Sequence, residues 1–432
     1  MNNKIGLALS GGGYRAAAFH LGVFRKLHQL GILNNIDVIS TISGGSIAGA
    51  YYGLNLSDFE SFNQNFENAL QKSVIMKMLC SKRIVITFSV LLTVFSLLTF
   101  YSFYTGNYLI IICAFLLFII ISMFFQFILF PFSKLKEKAY KEIFFHDKKL
   151  SDFPDKPIIA INSTNLETGT LFTFSKKKVS DSSYEFPKDG LRKISFKPET
   201  FNISFAVACS TSVPVPFNPF KLKKENFQNI DDFKRVSPSL SDGGLYDNQG
   251  IHKLTQNNSS YECNLIICSD GSQPFEFKYK GSNSFSVLYR ATDIMMRKIK
   301  SLQFIRDVYS KEKSIAYFSI DWEYDKCIEY FIRAIKENKI QQEVLDVHDF
   351  SRSHIDEIIN NNFTEALEHI KQRINYKKII ERGVSDKERI IVSKIKTNLT
   401  ALTKKEIELL SNHASVLVEL QLNLYCPTFI TR

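Results

Sequence analysis

The stretch TISGGSIAGAYYG, residues 41–53, places Ser46 among small residues, directly after an apolar run typical of a buried strand. A strand, a glycine-rich turn, a serine and a helix form a nucleophile elbow, in which a strained turn exposes the serine hydroxyl. Gly44 and Gly45 allow close packing, and the positive end of the helix dipole favours negative charge on the hydroxyl oxygen. Ala48 stands where the pattern G-x-S-x-G has its last glycine. We predict that Ser46 is a nucleophile; the alternative is an ordinary serine at a helix start.

A second element, SGGGYR at residues 10–15, follows a short apolar run and precedes an amphipathic helix. Consecutive glycines between a strand and a helix expose several backbone N–H groups, which bind a phosphate or the oxyanion of a tetrahedral intermediate. A dinucleotide site is the weaker interpretation, because Ala16 replaces the third glycine of G-x-G-x-x-G and only Asp37 could contact a ribose. Arg15 is expected to support the loop or to meet a lipid phosphate.

A third element, SDGGLYDN at residues 241–248, holds Asp242 before two glycines. Such a turn can fix a carboxylate in an unusual backbone geometry and direct it into a site, although D-G-G alone is most often only a turn. A hydrolytic serine normally has a histidine as its base. Of the eight histidines, only His252, soon after this turn, is a plausible partner, whereas His20 is expected to be a packed side chain.

The composition excludes several classes of protein. The chain has 432 residues, enough for two or three domains, and 45% hydrophobic residues, which argues against wholesale disorder. Its net charge of +11 suits a nucleic acid or an anionic membrane, but no nucleic-acid-binding motif is present. The seven cysteines show no CxxC spacing, which argues against a zinc site or a disulfide framework and fits a reducing compartment. We expect no metal, no cofactor and no nucleic-acid partner.

From Ile84 to Ser133 the chain contains no Asp, Glu, Lys or Arg. Two apolar segments, residues 84–104 and 108–130, are each long enough to cross a hydrocarbon core of about 30 Å, and a Thr-Gly-Asn turn separates them. We predict a transmembrane helical hairpin; the alternative is a pair of buried helices. The positive-inside rule places both ends in the cytoplasm, because basic residues flank the segment on both sides: Lys77, Lys82, Arg83, Lys134, Lys136, Lys138 and Lys141.

Short apolar runs that alternate with amphipathic helices predict an α/β fold with a helix-covered sheet. Runs at residues 4–9 and 36–41 are expected to be strands, with a helix from Tyr14 to Leu30 between them. Helical periodicity dominates from Ser353 onwards. The predicted domains are a catalytic domain in two parts, residues 1–79 and 134–350, the inserted hairpin at residues 84–130, and a helical C-terminal region at residues 351–432.

The three elements, in this order, resemble the patatin-like phospholipase family. That family has a glycine-rich oxyanion loop after its first strand, a G-x-S-x-G serine and a distant D-G-[GA] aspartate, and it uses a Ser–Asp dyad without histidine. The resemblance covers residues 4–54 and 155–310, and three further stretches look like family motifs: PIIAINSTNLETGTLFTFS, AVACSTSVPVPFNPF and LSDGGLYDNQGI. It implies a three-layer α/β domain with a mostly parallel central sheet, whereas the inserted hairpin lies outside the family pattern.

The resemblance also implies a role for individual residues. Ser46 is expected to be the acyl nucleophile, and Asp242 the base that takes its proton. The N–H groups of Gly11, Gly12 and Gly13 are the expected oxyanion donors. Five residues are expected to support these groups: Arg15, Gly44, Gly45, Gly243 and Gly244.

We therefore expect a membrane-anchored lipid acyl hydrolase of the phospholipase A type, which cleaves glycerolipid esters through an acyl-enzyme. Its substrate is expected to be a membrane phospholipid, and its catalytic domain is expected to face the cytoplasm. Three alternatives are a non-catalytic lipid-binding or regulatory protein on the same fold, an esterase for soluble substrates that is held at a membrane, and an effector that is restrained until a signal arrives.

Overall fold

Nine strands form one mixed sheet in the computed structural model, which describes residues 4–187, 190–275, 277, 279, 281 and 283–430. In chain order the strands are β1 (Ile5–Leu9), β2 (Val38–Ile42), β3 (Ile158–Asn165), β4 (Thr170–Phe174), β5 (Val179–Asp181), β6 (Phe220–Lys221), β7 (Ser239–Asp242), β8 (Leu265–Asp270) and β9 (Ser314–Ser319). The order across the sheet is β5-β4-β3-β2-β1-β8-β9, and β7 pairs with both β3 and β6.

The centre of the sheet is parallel and one flank is antiparallel. Strands β3, β2, β1, β8 and β9 run parallel to one another, whereas β4 and β7 pair with β3, β5 with β4, and β6 with β7 in the antiparallel sense. The predicted mostly parallel sheet is therefore correct for the centre and wrong for the flank. The connection from β3 to β4 is a short turn, and such a turn can join antiparallel strands only, because parallel strands need a crossover.

Helices provide the crossovers and cover the sheet. In chain order the α-helices are α1 (Gly13–Gln29), α2 (Gly44–Gly53), α3 (Phe59–Leu70), α4 (Val74–Leu79), α5 (Lys82–Thr105), α6 (Leu109–Phe124), α7 (Gln126–Leu129), α8 (Phe132–Tyr140), α9 (Ser182–Glu185), α10 (Ile203–Ser210), α11 (His252–Thr255), α12 (Ser284–Gln303), α13 (Tyr324–Lys336), α14 (Gln342–Val347), α15 (Arg352–Ile359), α16 (Thr364–Arg373), α17 (Tyr376–Ile380), α18 (Asp386–Lys394) and α19 (Lys404–Tyr425). The first helix and the first two strands agree with the sequence prediction to within two residues at each end.

The sheet separates two apolar cores. In β1, Leu7 and Leu9 belong to the larger core and Ala8 to the smaller one, because successive side chains of a strand point to opposite faces. The larger core also contains apolar residues of α1, α2, α10 and α19, whereas α11 contributes Leu254 to the smaller core. The strand ends that carry the candidate site are thus fixed from both faces.

The apolar segment forms two helices that pack against each other, α5 and α6. Among the described residues, α5 alone is a helix long and apolar enough to cross a membrane, and the second apolar segment is bent by 82° between Ile121 and Gln126. The side chains along α5 are largely exposed rather than buried against the sheet. The two predicted helices are present, while their position in a membrane stays a prediction.

The C-terminal helices pack on the same core as the sheet. Helix α19 lies along α1, and the two backbones come so close that a Cβ added at Gly22 would lie 2.0 Å from the carbonyl oxygen of Ser411. The helical region already begins at Tyr324, inside the second part of the predicted catalytic domain. The predicted domain boundary at residue 351 stays a prediction.

Candidate active site

The register of the sheet brings Asp242 beside the end of β2. Ile42 of β2 lies opposite Asn162 of β3, and the next residue of β3, Ser163, lies opposite Asp242 of β7. Because β4 occupies the opposite edge of β3, β2 and β7 share one edge, and Ser43, the residue after Ile42, meets Asp242 where the two strands end. Its Oγ donates a hydrogen bond of 2.9 Å to Oδ2 of Asp242, although the two residues are 199 positions apart in the chain.

Ser43 forms the corner between β2 and α2. Its φ of 48° and ψ of −115° lie in a region that residues with a side chain rarely adopt and that occurs at strained functional positions. The backbone N–H of Ser43 donates to Oγ of Ser210 at 2.9 Å, which holds the corner in place. A strained serine between a strand and a helix has the geometry of a nucleophile elbow.

The structure corrects the prediction that Ser46 faces Asp242. Ser46 lies inside α2 and is 0% exposed. Its Oγ is 2.9 Å from Oγ1 of Thr41 and 2.9 Å from Oγ of Ser210. Because Ser210 also accepts the N–H of Ser43, Ser46 belongs to a network of hydroxyl groups that supports the corner.

The sequence contained a signal for Ser43 in another frame of the same motif. Residues 41–45, T-I-S-G-G, match G-x-S-x-G with the last glycine, Gly45, in place and a departure at Thr41. Strand β2 ends one residue before Ser43, so the corner of the chain falls on this serine. When the motif is placed on Ser46, its serine falls about one helical turn after the corner between β2 and α2.

The turn after β7 holds Asp242 by its backbone and by its side chain. Oδ1 accepts the N–H of Gly244 at 2.8 Å, and the N–H of Asp242 donates to the carbonyl oxygen of Ser212 at 2.9 Å. Burial raises the pKa of the Asp242 carboxyl, and the hydrogen bonds from Gly244 and Ser43 oppose this rise because they favour the charged form. A carboxylate with a raised pKa is suited to accept the proton of a hydroxyl group.

The glycine loop after β1 lies against the serine corner. A Cβ added at Gly11 would lie 3.2 Å from the Cβ of Ser43. The N–H of Gly11 donates to the carbonyl oxygen of Asn248 at 2.9 Å, so this group is occupied, and the prediction of Gly11 as an oxyanion donor is wrong. Within the described parts of the chain, no acceptor takes the N–H of Gly12 or of Gly13. Their φ values of 141° and 59° require glycine.

The residue after the serine adds a third free donor. The N–H of Gly44 has no acceptor among the described residues, and a Cβ on Gly44 would lie 2.2 Å from the carbonyl oxygen of Gly13. The loop and the first turn of α2 therefore touch, and the free N–H groups of Gly12, Gly13 and Gly44 lie near Ser43. This arrangement can bind a developing oxyanion.

The other predicted supporting glycines allow close contacts around the site. An added Cβ would lie 2.3 Å from the carbonyl oxygen of Leu9 at Gly45, and 2.5 Å from that of Asn162 at Gly243. At Gly244 it would lie 2.7 Å from Oδ1 of Asn248. A side chain at any of these positions would push apart the segments that carry Ser43, Asp242 and the glycine loop.

Arg15 is fully buried below the glycine loop. Its guanidinium donates to the carbonyl oxygens of Gly271 and Ile395, both at 3.1 Å, and the N–H of Tyr14 donates to that of Asn398 at 2.9 Å. Arg15 thus supports the loop, and its burial leaves no surface for the lipid phosphate that was the alternative. Residues 395–398 therefore hold the first turn of α1, although no sequence motif marks them as part of the site.

No histidine ring in the described parts of the chain is hydrogen-bonded to Ser43 or Asp242. His20 is buried and hydrogen-bonded at both ring nitrogens, and burial lowers its pKa to about 4, which confirms the prediction of a packed side chain. His252 donates its backbone N–H to Asp247 at 2.8 Å and lies outside the pair. The described residues also hold no group of three or more side chains arranged for a metal ion.

A parallel sheet that ends in a strained serine corner, beside free backbone N–H groups, is the architecture of a serine ester hydrolase. The model of the family described as patatin-like phospholipase matches residues 7–255, which is more than half of the chain. The chain belongs to this family. Membership confirms the resemblance drawn from the three sequence elements.

The solved structures that match the chain have low sequence identity to it. Human GIVD cytosolic phospholipase A2 is 16% identical, with a TM-score of 0.38, and the match covers 69% of this chain and 48% of that one. VipD from Legionella pneumophila is 14% identical, with a TM-score of 0.32, and the match covers 100% of this chain and 92% of that one. This chain thus spans about half the length of the human phospholipase. Comparison with curated proteins finds no match.

Proposed function

We propose that this protein hydrolyses glycerolipid acyl esters with Ser43 as the nucleophile and Asp242 as its general base. The observation that carries the proposal is the 2.9 Å hydrogen bond from Oγ of Ser43 to Oδ2 of Asp242. It supports a dyad because the carboxylate already accepts the proton that must leave as the oxygen attacks. The family supplies the substrate class, an acyl ester of a lipid.

The reaction proceeds in two halves. Oγ of Ser43 bonds to the ester carbonyl carbon, its proton passes to Asp242, and the carbonyl electron pair moves onto the oxygen. The free N–H groups of Gly12, Gly13 and Gly44 stabilise this oxyanion, and each such donor is worth about 3–4 kcal/mol. The intermediate expels the lysolipid alkoxide, which takes the proton from Asp242 and leaves an acyl ester on Ser43. Water then gives a proton to Asp242 as its oxygen bonds to the acyl carbon. The second intermediate expels Oγ of Ser43, which takes that proton back from Asp242, and a fatty acid is released.

The test compares two serines three positions apart. Ser43→Ala and Ser46→Ala are made in the full chain, and hydrolysis of a fluorogenic phospholipid and of a short-chain ester is measured. We expect Ser43→Ala to lower kcat by at least about a thousandfold. Ser46→Ala keeps most of the activity and loses about 1 kcal/mol of stability, because it removes one buried hydroxyl from the network. A fluorophosphonate probe is expected to modify Ser43.

Two outcomes would contradict the proposal. Activity that survives in Ser43→Ala but is lost in folded Ser46→Ala would return the nucleophile to Ser46. Activity that is unchanged in both variants, with no fluorophosphonate labelling, would favour a non-catalytic lipid-binding protein on this fold. A strong preference for the short-chain ester over the phospholipid would favour an esterase for soluble substrates.

We also propose that the apolar segment anchors the catalytic domain in a membrane. Val85, Phe88, Leu92, Leu97 and Phe100 of α5 are all exposed, and such a continuous apolar surface is stable in lipid rather than in water. Lysine and arginine flank the segment on both sides, which supports a cytoplasmic location for both ends and two crossings.

The cysteines of the chain allow a direct test of this topology. Cys80 is exposed just before α5, while Cys209, Cys263, Cys268, Cys327 and Cys426 are buried. In a Cys113→Ser background, a membrane-impermeant maleimide is expected to label Cys80 only after cells are permeabilised. Asn107→Cys, in the turn between α5 and α6, introduces a thiol that is expected to be labelled in intact cells. Labelling of both thiols from the same side would exclude two crossings.

Burial of the site favours a second candidate, an effector that is restrained until a signal arrives. Ser43 is 8% exposed and Asp242 is 6% exposed, so a bulky ester does not reach the hydroxyl without a rearrangement. The test is hydrolysis of the short-chain ester with and without anionic vesicles. A large rise in kcat on vesicle binding supports restraint, whereas equal rates exclude restraint by the membrane surface.

A further inference from the structure

Helix α8, directly after the apolar segment, places a fully buried lysine near the candidate site. Lys136 is 0% exposed. Its Nζ donates to the carbonyl oxygen of Thr211 at 2.8 Å and to Oγ of Ser212 at 3.0 Å. The ammonium also lies 3.9 Å from the centroid of the Phe217 ring. A carbonyl, a hydroxyl and an aromatic face therefore enclose the charge.

The loop that Lys136 holds is the one that holds Asp242. The carbonyl oxygen of Ser212 accepts the N–H of Asp242 at 2.9 Å and Oγ of Ser241 at 2.8 Å. Lys136, Ser212 and Asp242 thus form a continuous chain of contacts. Burial raises the pKa of Asp242 and lowers the pKa of Lys136, and the opposite charge of each partner acts against the effect of burial on the other.

Packing alone does not account for a lysine at this position. A buried ammonium is expensive when no carboxylate pairs with it, and no carboxylate in the described parts of the chain forms an ion pair with Lys136. A methionine has similar length and would fill the same space without the cost of burying a charge. The charge itself is therefore the property that needs an explanation.

We propose that Lys136 is a positioning residue. Its ammonium fixes residues 211–212 against β7 and supplies a positive charge that stabilises the ionised carboxylate of Asp242. This inference rests on the proposed function, in which Asp242 must be ionised to take the proton of Ser43. In the sequence, Lys136 stands out only as part of the basic flank of the hairpin.

Few titratable groups act on Lys136. The charge of Asp242 on β7 and the thiol of Cys209 on α10 both act on the pKa of Lys136, and Tyr140, on the same helix as Lys136, donates its hydroxyl to Oγ1 of Thr211 at 3.2 Å. Burial raises the pKa of both Cys209 and Tyr140, so both are uncharged near neutral pH. Of these three groups, Asp242 alone changes its charge in the acidic range.

The test is the pH dependence of kcat/KM in the full chain, with the short-chain ester as substrate. Lys136→Met removes the charge and keeps the volume, and Lys136→Gln removes the charge but keeps an N–H donor. Both are expected to move the acidic limb of the profile to higher pH by about one unit or more, because the positive charge no longer favours the carboxylate. Lys26→Met is the matched control, since Lys26 is also buried but pairs with Glu419 at 2.7 Å on the α1 side. Its acidic limb is expected to equal that of the wild type.

Thermal melting identifies which variants are folded, and either folded Lys136 variant decides the question. An acidic limb that does not move in a folded variant overturns the proposal, as does an equal movement in Lys26→Met. Asp242→Asn separates this inference from the function on which it rests. If Asp242→Asn is fully active, the proposed dyad fails. If it is inactive and the limb of Lys136→Met stays in place, only the role of Lys136 fails.

Discussion

Ser43 and Asp242 are joined by a hydrogen bond of 2.9 Å where the ends of β2 and β7 meet along one edge of β3, and sheet register sets this distance. The chain between the two residues contains the apolar segment of α5 and α6. That insertion lies in the connection between α2 and β3, outside the pairs of strands that fix the register. A long insertion in a connection adds little entropic cost, so the candidate site tolerates the apolar segment between its two halves.

The activity of the wild-type protein is expected to fall on the acidic side of neutrality. Asp242 must be ionised to accept the Ser43 proton, and burial raises its pKa above the ordinary value of about 3.9. The rate therefore declines as the pH falls through the raised pKa, earlier than for an exposed aspartate. A profile of kcat/KM against pH measures this limb. A rate that stays level down to about pH 4 would exclude Asp242 as the base.

Gly12→Ala is expected to lower kcat by about a hundredfold to a thousandfold with little change in KM. A Cβ at Gly12 would lie 2.7 Å from the carbonyl oxygen of Gly271, and its φ of 141° does not suit alanine. The loop must then move, which displaces the free N–H groups from the oxyanion. Gly31→Ala is the control. Gly31, at the end of α1, also has a positive φ, 70°, but no atom lies within 4 Å of a Cβ added there. That variant loses stability but keeps kcat, and an equal loss of kcat in both would contradict the role of the loop.

His252→Ala is expected to keep the wild-type kcat. Its ring is not hydrogen-bonded to Ser43 or Asp242, and its backbone N–H is held by Asp247. In a serine–histidine mechanism, removal of the histidine would instead cost several orders of magnitude in kcat. Steady-state kinetics on the phospholipid and on the short-chain ester distinguish the two cases. A loss of that size in folded His252→Ala would replace the dyad with a triad.

Gly22→Ala is expected to destabilise the protein, opposite to the usual effect of this change inside a helix. Alanine normally stabilises a helix by about 0.5–1 kcal/mol relative to glycine. Here the added Cβ would lie 2.0 Å from the carbonyl oxygen of Ser411, so α1 and α19 must move apart. Overpacking of this kind costs about 1–3 kcal/mol. Urea unfolding of the detergent-solubilised chain measures the change, and a stability equal to or above wild type would contradict the close helix contact.

Local patterns in the sequence were sufficient for the elements that depend on neighbours in the chain. The helix after the glycine loop and the strand before it follow from periodicity and from glycine, and Asp242 was found because two glycines mark its turn. Ser43 was missed because the choice between two serines depends on the residue at which β2 ends, and boundaries are the weakest part of a sequence prediction. In the antiparallel flank, β3, β4 and β5 are joined by short turns, whereas the pairing of β7 with β3 joins distant parts of the chain, which periodicity does not encode.

The buried position of Lys136 was missed from the sequence for a different reason. Its position in a basic flank predicted only that it lies on the cytoplasmic side of the hairpin, and nothing nearby in the sequence marks it as buried. Burial arises because α8 packs against α10 after a separation of more than sixty residues. Asn398 was missed in the same way, since a carbonyl oxygen has no signature in the sequence. Both residues act through tertiary contacts, and such contacts were visible only in the folded chain.

The first turn of α1 is held by residues 395–398, which are synthesised much later than the helix itself. Arg15 donates to the carbonyl oxygen of Ile395, 380 positions further along the chain, and Tyr14 donates to that of Asn398. The apolar segment emerges much earlier and can enter a bilayer while translation continues. A nascent chain therefore completes its apolar segment before its glycine loop is braced, and under the proposed function it is expected to stay inactive until residues 395–398 have been made.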